Sequence, residues 1–401
     1  METNRVAIIG AGLTGLSLAL SLQRQSIPCI VYELRPRPLD IGGTVTLSPN
    51  ALRILDTLGV YERIRENGSE WDTMYFMSQD DRVIGTIEYG SQSKYGYRAL
   101  RIYRHFIITA LLDLAAERKI PVGFGRKFSR VVSESDAEVV YEFADGSIEK
   151  AASLVGADGI HSRVRKYLYP ELEPEFTNIV AVTAHVPTSQ VVIPEGYPPT
   201  VTIMSDEHGA YVVVPANETE TIVAKQIRTN ELDREEWKRR LEDKKWVIDL
   251  LRRGAGHFPP IVRSAVSHIP EDKLNVWPFY VVPRLDSWVS KKGRVAILGD
   301  AAHAIPPSTG QGANQVFEDS YTYALILSKC RGGSLGSVMR TWQKGRQERI
   351  DVLLRLAEVV NARRLPKETN GHARETDADV DLDVIFKPDF DVMVDSWILS
   401  N

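Results

Sequence analysis

The chain has 401 residues, which sets an expectation of two or three domains and excludes a small disulfide-stapled scaffold. With 49 basic against 53 acidic side chains and a net charge of -4, it carries no electrostatic footprint for nucleic acid or an anionic membrane. The two cysteines, Cys29 and Cys330, make neither a disulfide framework nor a metal-binding spacing, so a reducing, cytoplasmic setting is expected, with no metal site.

In chain order, residues 5–9 read as a short apolar strand ending in glycines, 13–24 have helical periodicity, and 29–32 form a second apolar run. That is a strand-helix-strand unit. The stretch 6–22 is too short, and too interrupted by Thr14, Ser17 and Ser21, for a membrane span or a signal peptide. At the strand-to-helix junction stands Gly10-Ala11-Gly12-Leu13-Thr14-Gly15. Nucleotide binding needs glycine three times there: for the tight turn, for close approach of a pyrophosphate, and for packing of helix on strand. The helix N-terminus adds free amides and a partial positive charge. Glu33 closes the second strand, where a carboxylate accepts hydrogen bonds from ribose hydroxyls. These features leave FAD and NAD both open.

Ser48-Pro49 reads as an N-cap and first-turn proline for a helix through Leu58, stopped by Gly59. A long amphipathic helix follows over 103–117, opened by Arg104, a cation at the positive end of the dipole that calls for an anion nearby. Alternation over 127–150, with Asp145-Gly146 as a turn, predicts an antiparallel meander. Residues 180–228 are strand-rich and 233–253 charged and helical, which suits an α+β domain. A buried strand returns at 293–298, ending in Gly299-Asp300, and the segment Pro306 to Asn314 leads into helices near 311–329 and 334–362. An Asp at the carboxyl end of a buried strand points into the crevice where open α/β sheets bind ligands. Residues 363–383 are polar and acidic and are expected to drape the surface, before a short apolar end at 392–399.

Together, Gly10 to Gly15, Glu33, Arg104 with Ile107 and Leu111, Gly156-Ala157-Asp158-Gly159 with Ser162, Val164 and Arg165, and the stretch from Gly299-Asp300 to Glu318-Asp319 resemble the single-component, FAD-dependent aromatic hydroxylases. These are flavoprotein monooxygenases of the hydroxybenzoate-hydroxylase fold, and the chain is similar to the salicylate-hydroxylase-like members. The resemblance implies an α/β architecture in which a Rossmann-like FAD-binding domain (1–70, 100–178 and 285–365) is interleaved with a smaller α+β substrate domain (71–99 and 179–284), followed by a C-terminal segment (366–401). It implies that Glu33 binds the adenosine ribose, Arg104 the pyrophosphate and Asp300 the ribityl chain, and that Pro307, Gly310, Gln311, Gly312, Ala313 and Asn314 line the isoalloxazine. Asp158-Gly159 matches a fingerprint tied to FAD and pyridine nucleotide, and Gly42-Gly43-Thr44 a loop flanking the flavin. NADPH or NADH would be a transient reductant, and oxygen would pass from O2 through a flavin hydroperoxide to a small aromatic or alkaloid-like metabolite, by hydroxylation or epoxidation. The protein would be a monomer or homodimer.

For the substrate side, relatives carry an arginine on the strand entering that domain and a tyrosine on a facing strand. His185 and either Tyr211 or Val214 stand at those places, so that pair is not evident; His185 is the candidate acid/base and Tyr211 the candidate partner. Tyr211, Trp277, Phe279 and Tyr280 either line a pocket or fill a core. Gly332-Gly333-Ser334-Leu335-Gly336 has the letters of a nucleophile elbow but follows a helix rather than a strand, so Ser334 reads as an N-cap. His303 reads as support for the flavin loop. An FAD-dependent oxidase or reductase, and a non-catalytic flavin sensor, are the competing functions.

Overall fold

The computed structural model describes residues 4–38, 43–330, 334–366 and 381–400. Five short strands form an all-parallel sheet in the order Val295–Ile297, Ser153–Gly156, Val6–Ile9, Cys29–Tyr32, Val122–Gly123. Parallel strands covered on both faces need continuous apolar runs, and every residue of Val6–Ile9 and Ser153–Gly156 is buried. The helix Leu13–Arg24 packs against Gly312–Lys329, and small residues bring the two close: the Ser17 and Ser320 hydroxyls lie 2.9 Å apart. The expected meander is present as Phe128–Glu134, Val139–Phe143 and Ile148–Ala151, turning at Gly146 with φ +82°.

A second sheet has seven strands, in the order Leu274–Val281, Glu175–Pro187, Glu220–Arg228, Gly209–Pro215, Val201–Ser205, Thr73–Ser78, Val83–Glu88. The hairpin Thr73–Ser78 and Val83–Glu88 reaches it from far upstream, Val201 standing opposite Tyr75 in parallel register. Helices Lys244–Arg252 and Pro260–Ala265 cover one face, closing an apolar core with Val182, Ala184, Ile203, Val213 and Val223. The other face looks toward a three-stranded sheet of Thr44–Leu47, Ala99–Tyr103 and Gly68–Trp71, with Trp71, Met74, Phe76, Val214 and Ile222 packed between them. The seam between the parallel sheet and the larger one therefore runs past Thr44–Leu47 and Ala99–Tyr103.

Several elements differ from expectation for local reasons. The charged stretch 233–253 is two helices, Arg234–Glu242 and Lys244–Arg252, because Asp243 accepts the Trp246 amide at 3.0 Å and restarts the helix. Helix Pro49–Leu58 ends at Gly59 as expected, with φ +84°, yet the Ser48 hydroxyl makes no capping bond and turns elsewhere. Ser334 precedes helix Leu335–Arg364, also without a side-chain cap, while Gly332 and Gly333 lie outside the described residues. That helix carries through Arg364 into the segment expected to be surface-draped, of which 367–380 lie outside the described residues. The apolar end is a helix, Phe390–Leu399, whose Trp397 lies against Gly345 so closely that a Cβ there would fall 2.1 Å from the indole. Among the described residues no helix is long and apolar enough to cross a membrane.

Candidate active site

The carboxyl ends of the parallel strands carry the motif residues into one cleft. Gly10 has φ +108°, and a Cβ there would stand 2.4 Å from the Ala157 carbonyl oxygen; at Gly15 it would stand 1.9 Å from that of Gly10. Both positions are closed to side chains by backbone on two sides. Gly12 differs: a Cβ on it would meet only the Arg104 guanidinium, at 4.0 Å, which sets the arginine over the glycine turn. Glu33 is buried, accepting the Ala11 amide at 2.9 Å and the Arg35 amide at 3.0 Å, so its carboxylate is held beside the start of the helix. Gly299, at φ +60°, approaches Thr14 so closely that a Cβ would lie 2.6 Å from its hydroxyl, which brings Asp300 to the same turn.

Arg104 opens helix Arg104–Glu117 with Tyr103 at the N-cap. Its guanidinium remains reachable by solvent, yet surrounding protein lowers its pKa from the ordinary arginine value, an effect Asp300 opposes and Arg35 reinforces. Asp158 plays a more local part. Ser162 Oγ donates to its Oδ1 at 2.5 Å, and the Arg163 and Val164 amides to Oδ2 at 2.7 and 3.2 Å, so these bonds shape its own turn. Burial raises its pKa, an effect those bonds oppose. The buried Arg165 then donates to the Ala301 carbonyl at 3.0 Å and ties this turn to the Asp300 helix.

The segment after Ile305 forms a short turn, Pro307–Thr309, with Gly310 at φ +66° leading into Gly312–Lys329. As the first turn of a long helix, Gly312, Ala313 and Asn314 present amides that the helix itself does not use. Space is open where a Cβ on Gly43, Gly310 or Gly312 would project. Asn314 accepts the Ser48 amide at 2.9 Å and donates to the Thr46 carbonyl at 3.0 Å, and Gln311 donates to Ser48 Oγ at 3.0 Å. Ser48 thus serves this loop rather than its own helix. Thr44 starts the adjoining strand, while Gly42 lies outside the described residues. Behind the loop is a buried charge network: Arg346 reaches Asp319 at 2.8 Å and Glu318 at 2.5 Å, Arg349 adds 2.6 Å to Glu318, and His303 Nε2 lies 2.7 Å from Asp319. Burial alone would raise both carboxyls; Arg349 and Arg346 pull Glu318, and His303 and Arg346 pull Asp319, down to about 2. Asp319 also accepts the Gly299 amide at 2.7 Å, and Asn50 donates to Glu318 at 2.7 Å.

Across the seam, His185 is buried, with its ring stacked on Tyr103 at 5.4 Å and its Nδ1 2.8 Å from the Tyr103 hydroxyl. Tyr103 donates in turn to Glu220 Oε2 at 2.6 Å, and Glu220 pairs with Lys273 at 3.2 Å. Burial lowers the His185 pKa below the ordinary imidazole value, with Glu220 opposing. Tyr103 and Glu220 escape a motif search because one looks like a helix-flanking aromatic and the other like a hairpin carboxylate. Tyr211 is not in this group. It faces the helix-covered side of the larger sheet, fully buried against Phe258, and its hydroxyl donates to the Leu251 carbonyl at 2.5 Å, so packing and helix capping occupy it. Phe279 is likewise core, beside Ile179 and Leu365, and Tyr280 packs on Phe176, whereas Trp277 is half exposed. Arg101, two residues before Tyr103, is buried over the Trp71 ring and, among the described residues, donates to Thr46 Oγ1 and the Pro215 carbonyl at 3.2 to 3.5 Å.

This geometry suits a dinucleotide: an amide-rich helix start and a cation over a glycine turn for phosphates, a held carboxylate for a ribose, and a second amide-rich helix start beyond. The FAD_binding_3 family model, an FAD binding domain, matches residues 3–357. The chain is 28% identical over 362 residues to 6-hydroxynicotinate 3-monooxygenase of Bordetella bronchiseptica, covering 88% of this chain and 90% of that one. It is 30% identical over 372 residues to 3-amino-4-hydroxybenzoate 2-monooxygenase of Streptomyces cremeus, covering 91% and 87%. In fold it is similar to CtdE solved with FAD and substrate, at TM-score 0.80 and 18% identity over 99% and 98% of the two chains. HpxO of Klebsiella pneumoniae, solved with FAD and uric acid, superposes at TM-score 0.77 and 20% identity, again over 99% and 98%. The glycine turn, the Asp300 strand end and the loop before Gly312 thus stand in a known frame, and the chain belongs to the FAD-dependent aromatic hydroxylases, a family of flavin monooxygenases.

Proposed function

We propose that FAD lies along this cleft with its ribose at Glu33, its pyrophosphate between Gly12 and Arg104, its ribityl chain at Asp300, and its ring bounded by Gly43-Thr44 and the segment Pro307 to Asn314. The observation that carries the reading is the convergence of Gly12, Arg104, Glu33 and Asp300 on one strand end from widely separated parts of the sequence. Bound FAD supplies the redox chemistry, accepting a hydride from NADPH or NADH and activating O2 so that one oxygen atom passes to an electron-rich substrate. The chain's own work is to bind, orient and exclude water. The Gly312 to Asn314 amides hold negative charge at the ring's edge, and Asp158 shapes the turn at which pyridine nucleotide is engaged.

His185, neutral near pH 7, is the group that accepts a proton from an ionisable substrate. With its Nδ1 donating to Tyr103 and Tyr103 to Glu220, its Nε2 is left as the acceptor. The substrate is a small aromatic or alkaloid-like molecule, hydroxylated or epoxidised, in a cytoplasmic enzyme that works as a monomer or homodimer. The division into an FAD part (1–70, 100–178, 285–365) and a substrate part (71–99, 179–284) is supported by the pairing of Thr73–Ser78 with Val201–Ser205. The test is purification of Arg104→Ala and Asp300→Ala: both are expected to lose flavin, and wild-type flavin content in either removes that residue's assigned role.

A further inference from the structure

We propose that Tyr89 and Arg364 are positioning residues for the loop that bounds the flavin ring: from behind, they hold the Thr309 and Ser308 carbonyls and so fix the peptide planes that the turn Pro307–Thr309 presents to the ring. The inference rests on the placement of FAD proposed above. A three-residue turn followed by Gly310 at φ +66° has no ladder of its own to fix its peptides. Each carbonyl from Pro307 to Gly310 is nonetheless engaged. That of Pro307 accepts the Gly310 amide at 2.9 Å, and that of Gly310 accepts Asn314 Nδ2 at 2.8 Å. Between them, the Ser308 carbonyl accepts Arg364 Nη1 at 3.0 Å and the Thr309 carbonyl accepts the Tyr89 hydroxyl at 3.0 Å. The outer two bonds are local to the loop. The inner two come from distant elements, and each comes from a residue whose own position is fixed.

Arg364 is the last residue of helix Leu335–Arg364, where the negative end of the dipole suits a cation. That helix end abuts the larger sheet: a Cβ on Gly209 would stand 3.1 Å from the Arg364 carbonyl oxygen and 3.1 Å from Pro366 Cδ. Burial lowers the arginine's pKa, with Tyr89 opposing, and its Nε is enclosed without a protein partner among the described residues. Desolvating a guanidinium costs free energy that a bond to a backbone carbonyl only partly offsets. Tyr89 follows strand Val83–Glu88 of the larger sheet; its ring packs on Trp71 at 5.3 Å and on Phe386 at 5.7 Å, and its amide donates to the Asp72 carbonyl at 2.7 Å. A trans peptide sets its N–H opposite its C=O. The peptide joining Ser308 to Thr309, its carbonyl drawn to Arg364, therefore turns the Thr309 amide the other way, with the cation behind it. A flavin gains negative charge on reduction, and an oriented amide backed by a cation stabilises such charge.

The experiment compares wild type, Arg364→Met, Arg364→Lys and Tyr89→Phe as flavin-loaded enzymes. It reads the flavin's reduction potential by equilibration with redox dyes, its visible absorbance bands, and the melting temperature. Arg364→Met is expected to make the potential more negative and to shift the bands. Arg364→Lys, which keeps the charge and loses the planar fork, should restore most of the potential. Tyr89→Phe keeps the ring packing and loses the hydroxyl; it should shift the bands with a smaller change in potential, because no charge is removed. Potential and bands unchanged from wild type in both Arg364→Met and Tyr89→Phe overturn the proposal, even if both melt early, since the two residues are then structural only. So does a potential that falls as far in Arg364→Lys as in Arg364→Met. Should Arg364→Met not fold, the bands of Tyr89→Phe decide. Flavin content of Arg104→Ala and Asp300→Ala is measured alongside: flavin retained by both refutes the placement of FAD, whatever the loop variants do.

Discussion

At Arg104 a cation stands where the helix dipole disfavours one, and the glycine turn beneath it supplies the reason. If it holds the pyrophosphate as proposed, replacing it with alanine removes one or two charge-assisted bonds to a phosphate, each worth roughly 1.5–3 kcal/mol, so flavin affinity should fall by about ten- to a hundredfold or more, read from the flavin-to-protein absorbance ratio after purification. His185 makes a different prediction. Burial holds its pKa below the ordinary imidazole value, so the neutral form persists to lower pH than in a free imidazole. Turnover of an ionisable substrate should therefore decline on the acidic side at a pH below about 6.5, and Tyr103→Phe should shift that limb while leaving flavin content unchanged. A pH profile identical in His185→Gln would remove the acid/base role. These residues were unequally legible. Gly10, Gly12, Gly15, Glu33 and Asp300 announce themselves because backbone approach and strand ends restrict residue type, whereas Tyr103 and Glu220 join His185 only when three distant strands meet. Tyr211 misled for the converse reason: alternation along Gly209–Pro215 does not say which face of the sheet a residue will take.

The first helix of the parallel sheet and the two helices behind the loop carry the element-scale consequences. Gly15→Ala would put a Cβ 1.9 Å from the Gly10 carbonyl oxygen, so the helix Leu13–Arg24 must move off its strand; loss of flavin and a melting temperature several degrees lower are expected. In the charge network, Arg346→Met leaves Glu318 and Asp319 with one cationic partner fewer in a fully buried site, a loss of about 3–5 kcal/mol by denaturant titration. The two carboxyls are depressed to about 2 in the folded state against roughly 4 when unfolded, so their stabilisation is complete above pH ~4 and disappears as pH falls toward 2. Acid unfolding monitored by circular dichroism should fall in that window, and Arg346→Met should blunt it. Ser334→Ala, by contrast, should leave turnover unchanged, because a helix rather than a strand precedes it. Long periodic helices and the meander were readable from hydropathy. The hairpin Thr73–Ser78 and Val83–Glu88 was not identified as strands, since its partner is a strand more than a hundred residues away and pairing at that distance leaves no local signal.

For the molecule as a whole, the chain leaves the parallel sheet, builds a second sheet and returns, and one face of the second sheet packs on the three-stranded sheet of Thr44–Leu47, Ala99–Tyr103 and Gly68–Trp71. Length alone gives two or three domains without their order; the pairing of Thr73–Ser78 with Val201–Ser205 and of Val295–Ile297 with Ser153–Gly156 supports the interleaved division proposed above. On the proposed reading the glycine turn, Arg104 and Asp300 hold the cofactor while His185 faces them from the larger sheet, the division of labour a flavin monooxygenase requires. The most direct test supplies the purified flavoprotein with NADPH or NADH, isotopically heavy dioxygen and a panel of ring acids, and follows the label by mass spectrometry. One heavy oxygen atom in the organic product, with reduced nicotinamide consumed in equal amount, is the predicted result. Consumption of reduced nicotinamide and oxygen with the label only in hydrogen peroxide or water, across the whole panel, would contradict the account.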